Sequence, residues 1–262
     1  MKTDILIFAG QSNMQGQTEA LPFPNEPVAD ALEYRHLTDS LVPLMHPVGE
    51  TIADDTLSCA ELGCGSLIPD FCRAYVRDAG IPVTAIHTAR GATRIDEWLK
   101  GTARYDLAIE KIRAGIAKTR AQAEVRRICL VWLQGESDAI RRTTEEEYIA
   151  RMRKFRDDLV RDAGIDTFGI IEVGWFCSTV RWMTDRTHED ALACDETIMR
   201  AQERLCREEA EGEIPGRFVL LTQLCKALSL DNTYINPDAD GHYNTRAMAL
   251  IGTDAAHALA RV

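Results

Sequence analysis

Five short runs of the chain are apolar at almost every position rather than at alternate ones: 4–9, 82–87, 127–133, 167–173 and 217–222. Rich in Val, Ile, Leu and Phe, they predict strands covered on both faces. Between them the period lengthens. Segments 67–79, 104–122, 144–163, 190–211 and 245–260 predict helices. In 104–122, Tyr105, Ala108, Ile109, Ile112 and Ile116 fall on one helical face. In 144–163, Thr144 and Glu147 form a capping-box start. Tyr148, Met152, Phe155 and Leu159 supply its apolar stripe, and Gly164 stops it. Strand and helix alternate throughout, which predicts an α/β fold: a three-layer α/β/α sandwich with a five-stranded, mainly parallel sheet. Residues 17–58 and 174–189 have no clear period. Long irregular stretches in a compact domain are often binding loops, so both are expected at the rim of a cleft.

Composition narrows the picture. At 262 residues, with 45% hydrophobic residues and no Ser/Gly/Pro linker or internal repeat, the chain reads as one domain, 1–262. No apolar run approaches the roughly 18 residues that span a bilayer. Met1-Lys2-Thr3-Asp4 leads straight into a strand, without a signal peptide, so a cytoplasmic location is expected. The net charge of −11 argues against a nucleic-acid partner; a homo-oligomer is compatible with the sequence. The eight cysteines include no C-x-x-C pair and read as reduced, largely buried thiols. Cys59 and Cys64 could pair in an oxidising compartment. No ligand-spaced cluster of His, Cys or Asp suggests a metal, and no cofactor is expected.

Three polar blocks carry the candidate chemistry. Gly10-Gln11-Ser12-Asn13-Met14 follows the first strand, and its serine is placed for a sharp turn at the sheet edge. The same serine also reads as a helix cap. Trp132-Leu133-Gln134-Gly135-Glu136-Ser137-Asp138 follows the strand at 127–133, and Asp238-Ala239-Asp240-Gly241-His242-Tyr243-Asn244 lies near the C-terminus. The polar residues at Gly10, His87–Arg90 and Gln134 all follow carboxyl ends of strands, the edge where open α/β sheets bind ligands. An early serine, a middle amide and a late Asp/His pair form a parts list for acyl transfer. Ser12 is the candidate nucleophile and His242 the base. Asn244 caps the last helix in this reading, and a helix N-terminus disfavours imidazolium, which keeps His242 neutral at rest.

Together these blocks, with Arg90-Gly91-Ala92-Thr93-Arg94-Ile95-Asp96-Glu97-Trp98, resemble the SGNH hydrolase superfamily. More narrowly they resemble its branch of carbohydrate esterases, which includes sialate-O-acetylesterase-like and acetylxylan esterase-related proteins. The resemblance implies a flavodoxin-like fold and a serine esterase that removes acetyl or other short acyl groups from a sugar or oligosaccharide. It implies oxyanion donors at the N–H of Ser12, the N–H of Gly91 and the side-chain amide of Gln134. Gln11, Asn13, Arg90, Arg94 and Glu136 are the expected substrate contacts. Taken alone, Gly91 also reads as a turn glycine, Gln134 as a satisfied amide and Glu136 as a surface acid. Arg90 and Arg94 can fork a carboxylate or simply pair with acids such as Asp96 or Glu97. The chain departs from the family pattern in two places. Ala92 stands where a second glycine is common, and Ala239 stands three residues before the histidine, where the acid is usual. The triad acid is therefore Asp240, nearer and next to the flexible Gly241, or in reserve Asp238. Two other functions fit the residues: a short-chain esterase or acyltransferase on non-sugar alcohols, and a catalytically weak glycan-binding protein.

Overall fold

The computed structural model describes residues 2–60, 64–211 and 213–262. Its strands are β1 (Lys2–Gly10), β2 (Ala31–Arg35), β3 (Ser40–Pro43), β4 (Val83–His87), β5 (Glu124–Leu133), β6 (Thr167–Ile171) and β7 (Arg217–Thr222). Among the described residues they form one seven-stranded sheet in the order β3-β2-β4-β1-β5-β6-β7. Every neighbouring pair is parallel except β2 and β3. The sheet thus has seven strands where the apolar runs predict five. The extra pair, β2 and β3, lies at the sheet edge inside the aperiodic 17–58 segment. Both strands are short; β2 is interrupted by the charged Glu33 and Arg35 and β3 is partly exposed, so neither carries a continuous apolar run.

The helices are α1 (Ser12–Gln15), α2 (Ile68–Ala79), α3 (Ala103–Arg120), α4 (Glu136–Ile140), α5 (Glu145–Ala163), α6 (His188–Glu208), α7 (Leu224–Leu228) and α8 (Thr245–Ala260). The long ones start and stop where their sequence signals lie. The Thr144 side chain accepts from Glu147 N–H, and Gly164 ends α5 in the left-handed region at φ 69°. The Asn244 side chain caps α8 by accepting from Ala247 N–H. The two sheet faces are covered separately. Phe8 meets Phe71 of α2 edge-on at 5.2 Å, and α2 packs on α8. Trp132, paired with Ala9 and so on the other face, packs on Phe155 of α5 at 5.1 Å. The buried Trp98 lies against it at 5.5 Å, so both tryptophans are core residues. Among the described residues, no helix is long and apolar enough to cross a membrane.

The chain leaves β1 toward one side of the sheet and leaves β5, its neighbour, toward the other. Such a switch point opens a crevice at the carboxyl ends of the two strands. There the strands close in tightly. Gly10 has φ +146°, and a Cβ on it would stand 2.0 Å from the carbonyl oxygen of Leu133. Only glycine fits. The next residue continues the register, with Gln11 N–H donating to Leu133 O at 3.0 Å.

Candidate active site

At this crevice the first and last polar blocks meet. Ser12 begins α1 directly after β1, and its Oγ lies 2.8 Å from Nε2 of His242. The two residues are 230 positions apart in sequence. The histidine is carried by a tight loop ahead of α8, in which His242 N–H donates to Ala239 O at 3.0 Å and Asn236 N–H donates to His242 O at 2.7 Å. Phe176 packs edge-on against the imidazole, with ring centres 6.2 Å apart.

Asp240 meets Nδ1 of His242 through its backbone carbonyl oxygen, 3.2 Å away. Its carboxylate instead accepts the backbone N–H of Arg181 at 2.6 Å. The Asp240 carboxylate is thus engaged on another loop. Asp238 enters the histidine loop through its N–H, which donates to Asn236 Oδ1 at 2.9 Å.

The middle block is a buried scaffold. Gln134 is fully buried. Its Nε2 donates to Thr93 O at 2.8 Å and to Asp138 Oδ2 at 2.6 Å. An amide nitrogen has two protons, and both are engaged in these two bonds. These bonds hold the 90–98 turn to the end of β5. Gly91 does reach the nucleophile, for a Cβ there would stand 3.3 Å from Ser12 Cβ. Its N–H, however, donates to Gln15 Oε1 at 2.7 Å. Ala92 takes the left-handed conformation, φ 56°, where the family pattern has glycine.

Three of the expected substrate contacts are internal. Gln11 Oε1 accepts from Gly135 N–H at 3.4 Å and Ser137 N–H at 3.2 Å, at the start of α4. Asn13 Nδ2 donates to Glu136 Oε1 at 2.8 Å, and its Oδ1 accepts from Tyr243 N–H at 3.3 Å. Glu136 is buried with Oε2 lacking a hydrogen-bond partner, and desolvation raises its pKa above the ordinary carboxylate value. All three polar groups are turned inward. Arg90 pairs with Asp55 at 2.7 Å and Arg94 with Asp96 at 2.9 Å, so neither is an unpaired cation. Behind the turn, burial pushes the core histidine His87 down to about 3.

A cavity of about 560 Å³ is bounded by Ala92, Arg94, Glu97, Ser137, Ile140, Arg141 and Trp182. Ala92 adjoins Gly91 and thus Ser12, while Trp182 packs on Phe176, 6.2 Å away, and through it on His242. The cavity is thus linked to the Ser12–His242 pair through Gly91 and through Phe176. Trp182 is 56% exposed. Arg141 is exposed, and its guanidinium has no ion-pair partner among the described residues. Neither residue is singled out by the sequence motifs. Arg141 comes three residues after the block that ends at Asp138, and Trp182 lies in the aperiodic 174–189 stretch. Six of the eight cysteines are buried. Among the described residues no group of three or more His, Cys, Asp or Glu could hold a metal ion.

At the carboxyl edge of a mainly parallel α/β sheet, a serine and a histidine are thus in hydrogen-bond contact, an arrangement suited to ester chemistry. The family described as carbohydrate esterase, sialic acid-specific acetylesterase, matches residues 2–212, and the chain belongs to it. It is a carboxylic ester hydrolase that acts on acetylated sugars. The histidine loop lies beyond the matched segment. No curated protein sequence matches the chain. Among solved structures, a protein from Arabidopsis thaliana superposes with a TM-score of 0.65 at 18% identity, covering 97% of this chain and 96% of its own. NanS superposes with a TM-score of 0.64 at 14% identity, covering 96% and 94%. Both share the fold.

Proposed function

We propose that the protein is a serine esterase that removes acetyl groups from a carbohydrate through an acyl-enzyme. The observation that carries this reading is the 2.8 Å contact between Ser12 Oγ and His242 Nε2. A hydroxyl is a poor nucleophile at its free pKa and needs a base within hydrogen-bond reach. His242 takes the Ser12 proton as Oγ attacks the ester carbonyl. The Asp240 carbonyl at Nδ1 favours the tautomer protonated there, which leaves the Nε2 lone pair for Ser12. The oxyanion forms beside the N–H of Ser12. The tetrahedral intermediate then collapses, its bond to the sugar oxygen breaks, and the His242 imidazolium protonates that oxygen, releasing the sugar as an alcohol. Water, activated by the same imidazole, hydrolyses the acetyl-serine and regenerates the enzyme.

The cavity bounded by Ala92 and Trp182 receives the sugar. Trp182 offers it an aromatic face, and Arg141 a cation for a charged substituent.

Acetate release from acetylated sialic acids, acetylated monosaccharides and acetylated xylan tests the reading. Wild type should release acetate from at least one, and Ser12→Ala and His242→Ala from none. A fluorophosphonate should add once, on Ser12. Undiminished activity in Ser12→Ala would overturn the proposal.

A further inference from the structure

Opposite the Ser12–His242 contact, the histidine loop is fastened to the 174–189 segment at several points. The Asp240 carboxylate accepts Arg181 N–H at 2.6 Å, and its other oxygen lies 3.7 Å from Arg181 Nε. The second contact is weak, since the Arg181 side chain is 82% exposed. Gly241 has φ +77°, and a Cβ there would meet Phe176 at 2.4 Å and Val180 at 2.6 Å. The two loops are therefore in direct contact, backbone against side chain. The 174–189 segment is itself anchored at its far side. The buried Asp195 of α6 accepts Cys177 N–H at 2.8 Å, Ser178 N–H at 3.0 Å and Ser178 Oγ–H at 2.9 Å. Phe176 and Val180, between the two anchors, are buried.

Both halves of Asp240 are thus in use. The carboxylate faces Arg181 N–H, and the backbone carbonyl faces His242 Nδ1 at 3.2 Å. We infer that Asp240 is a positioning residue: its carboxylate fixes the loop, and its backbone carbonyl, held in place by that fixing, orients His242. This rests on the reading of His242 as the base. What the side chain must supply is an oxygen that accepts one neutral N–H; the negative charge is dispensable. An aspartate acting directly on the ring would be the opposite case, because there the charge stabilises the imidazolium, and replacement by asparagine typically costs about 10⁴-fold in kcat.

The two cases separate in one variant series assayed on a single acetyl ester. Asp240→Asn keeps an acceptor oxygen for Arg181 N–H, so its kcat should stay within about threefold of wild type. Asp240→Ala removes the acceptor and frees the loop. Its kcat should fall about 10²-fold, the scale of a displacement of roughly 1 Å at a reacting group, with KM little changed. Arg181→Pro removes the N–H while leaving Asp240 intact, and should reproduce the alanine variant. It keeps the test open if Asp240→Ala folds poorly. Ser12→Ala and His242→Ala serve as inactive references. A loss near 10⁴-fold in Asp240→Asn would overturn the inference and put the charge on the ring. Wild-type turnover in both Asp240→Ala and Arg181→Pro would overturn it in the other direction. Activity retained in His242→Ala would instead defeat the underlying assignment of the base.

Discussion

Asn13 donates to Glu136 at 2.8 Å across 123 positions of sequence, and the same amide accepts the N–H of Tyr243, next to His242. One side chain therefore ties all three polar blocks together behind the nucleophile. Its two ends hold a buried acid and the backbone of the histidine loop.

Cutting this tie should cost both stability and turnover. Asn13→Ala leaves Glu136 in a buried site without its donor, a loss of about 1–3 kcal/mol. Urea unfolding measures it. A double-mutant cycle with Glu136→Gln should give a coupling of at least about 0.5 kcal/mol, as contacting residues do. Additive effects of the two substitutions would count against a direct link.

Gln134 should behave as a structural residue. Gln134→Ala strips the buried Thr93 carbonyl and the Asp138 carboxylate of a shared donor, and should destabilise the fold by about 2–4 kcal/mol. Per folded molecule, kcat should fall by less than the 10²–10³-fold typical of losing an oxyanion donor. A stable variant with a loss of that size would restore the role that the motif suggests.

Gly10 sets the spacing of the crevice. Because a Cβ would stand 2.0 Å from Leu133 O, Gly10→Ala should separate the ends of β1 and β5 and destabilise by about 3 kcal/mol or more. The measurement is the thermal midpoint together with esterase activity. Wild-type values for both would mean the strands tolerate the methyl group.

In the cavity, Arg141 is the cation to test. Arg141→Ala should raise KM for an anionic acetylated sugar several-fold more than for a neutral one. Arg90→Ala should affect both alike, since Arg90 already pairs with Asp55. Equal effects of Arg141→Ala on the two substrates would remove it from anion recognition.

Stability should also report on a buried acid away from the nucleophile. Desolvation raises Glu172 from 4.5 to about 6; its Oε2 accepts from Gln223 at 2.7 Å, while Oε1 has no hydrogen-bond partner among the described residues and only the distant Lys226 ammonium, 4.0 Å away. The folded state favours the protonated form, whereas the unfolded chain ionises near the ordinary value. The contribution is therefore fully present below about pH 4.5 and is lost as pH rises through about 6. Glu172→Gln should remove this loss, a relative gain on the order of 2 kcal/mol at pH 7. Urea midpoints of both proteins from pH 4 to 8 should diverge across that window. Parallel curves would show that Glu172 titrates normally.

The sequence by itself determined the layers of this protein. Doubly covered strands must be apolar along their length, and helices at a sheet face must be apolar on one stripe, so both are written into local periods. The caps at Thr144, Gly164 and Asn244 are equally local, each using its own side chain or φ angle. The short strands β2 and β3 left no such period, because β2 carries Glu33 and Arg35 within five residues and β3 is a partly exposed edge strand. Motif spacing also singled out Ser12 and His242, whose chemistry few other residues can supply. Only the tertiary structure decided which polar groups face the cleft and which face inward. Gln11, Asn13, Gln134 and Glu136 lie within the polar blocks, yet each makes hydrogen bonds inside the protein. Asp240 likewise directs its carboxylate to Arg181: a loop distant in sequence presents an N–H there. A side chain's partner depends on what packs opposite it, and each of these residues has a partner between 41 and 230 positions away, beyond the reach of any local pattern.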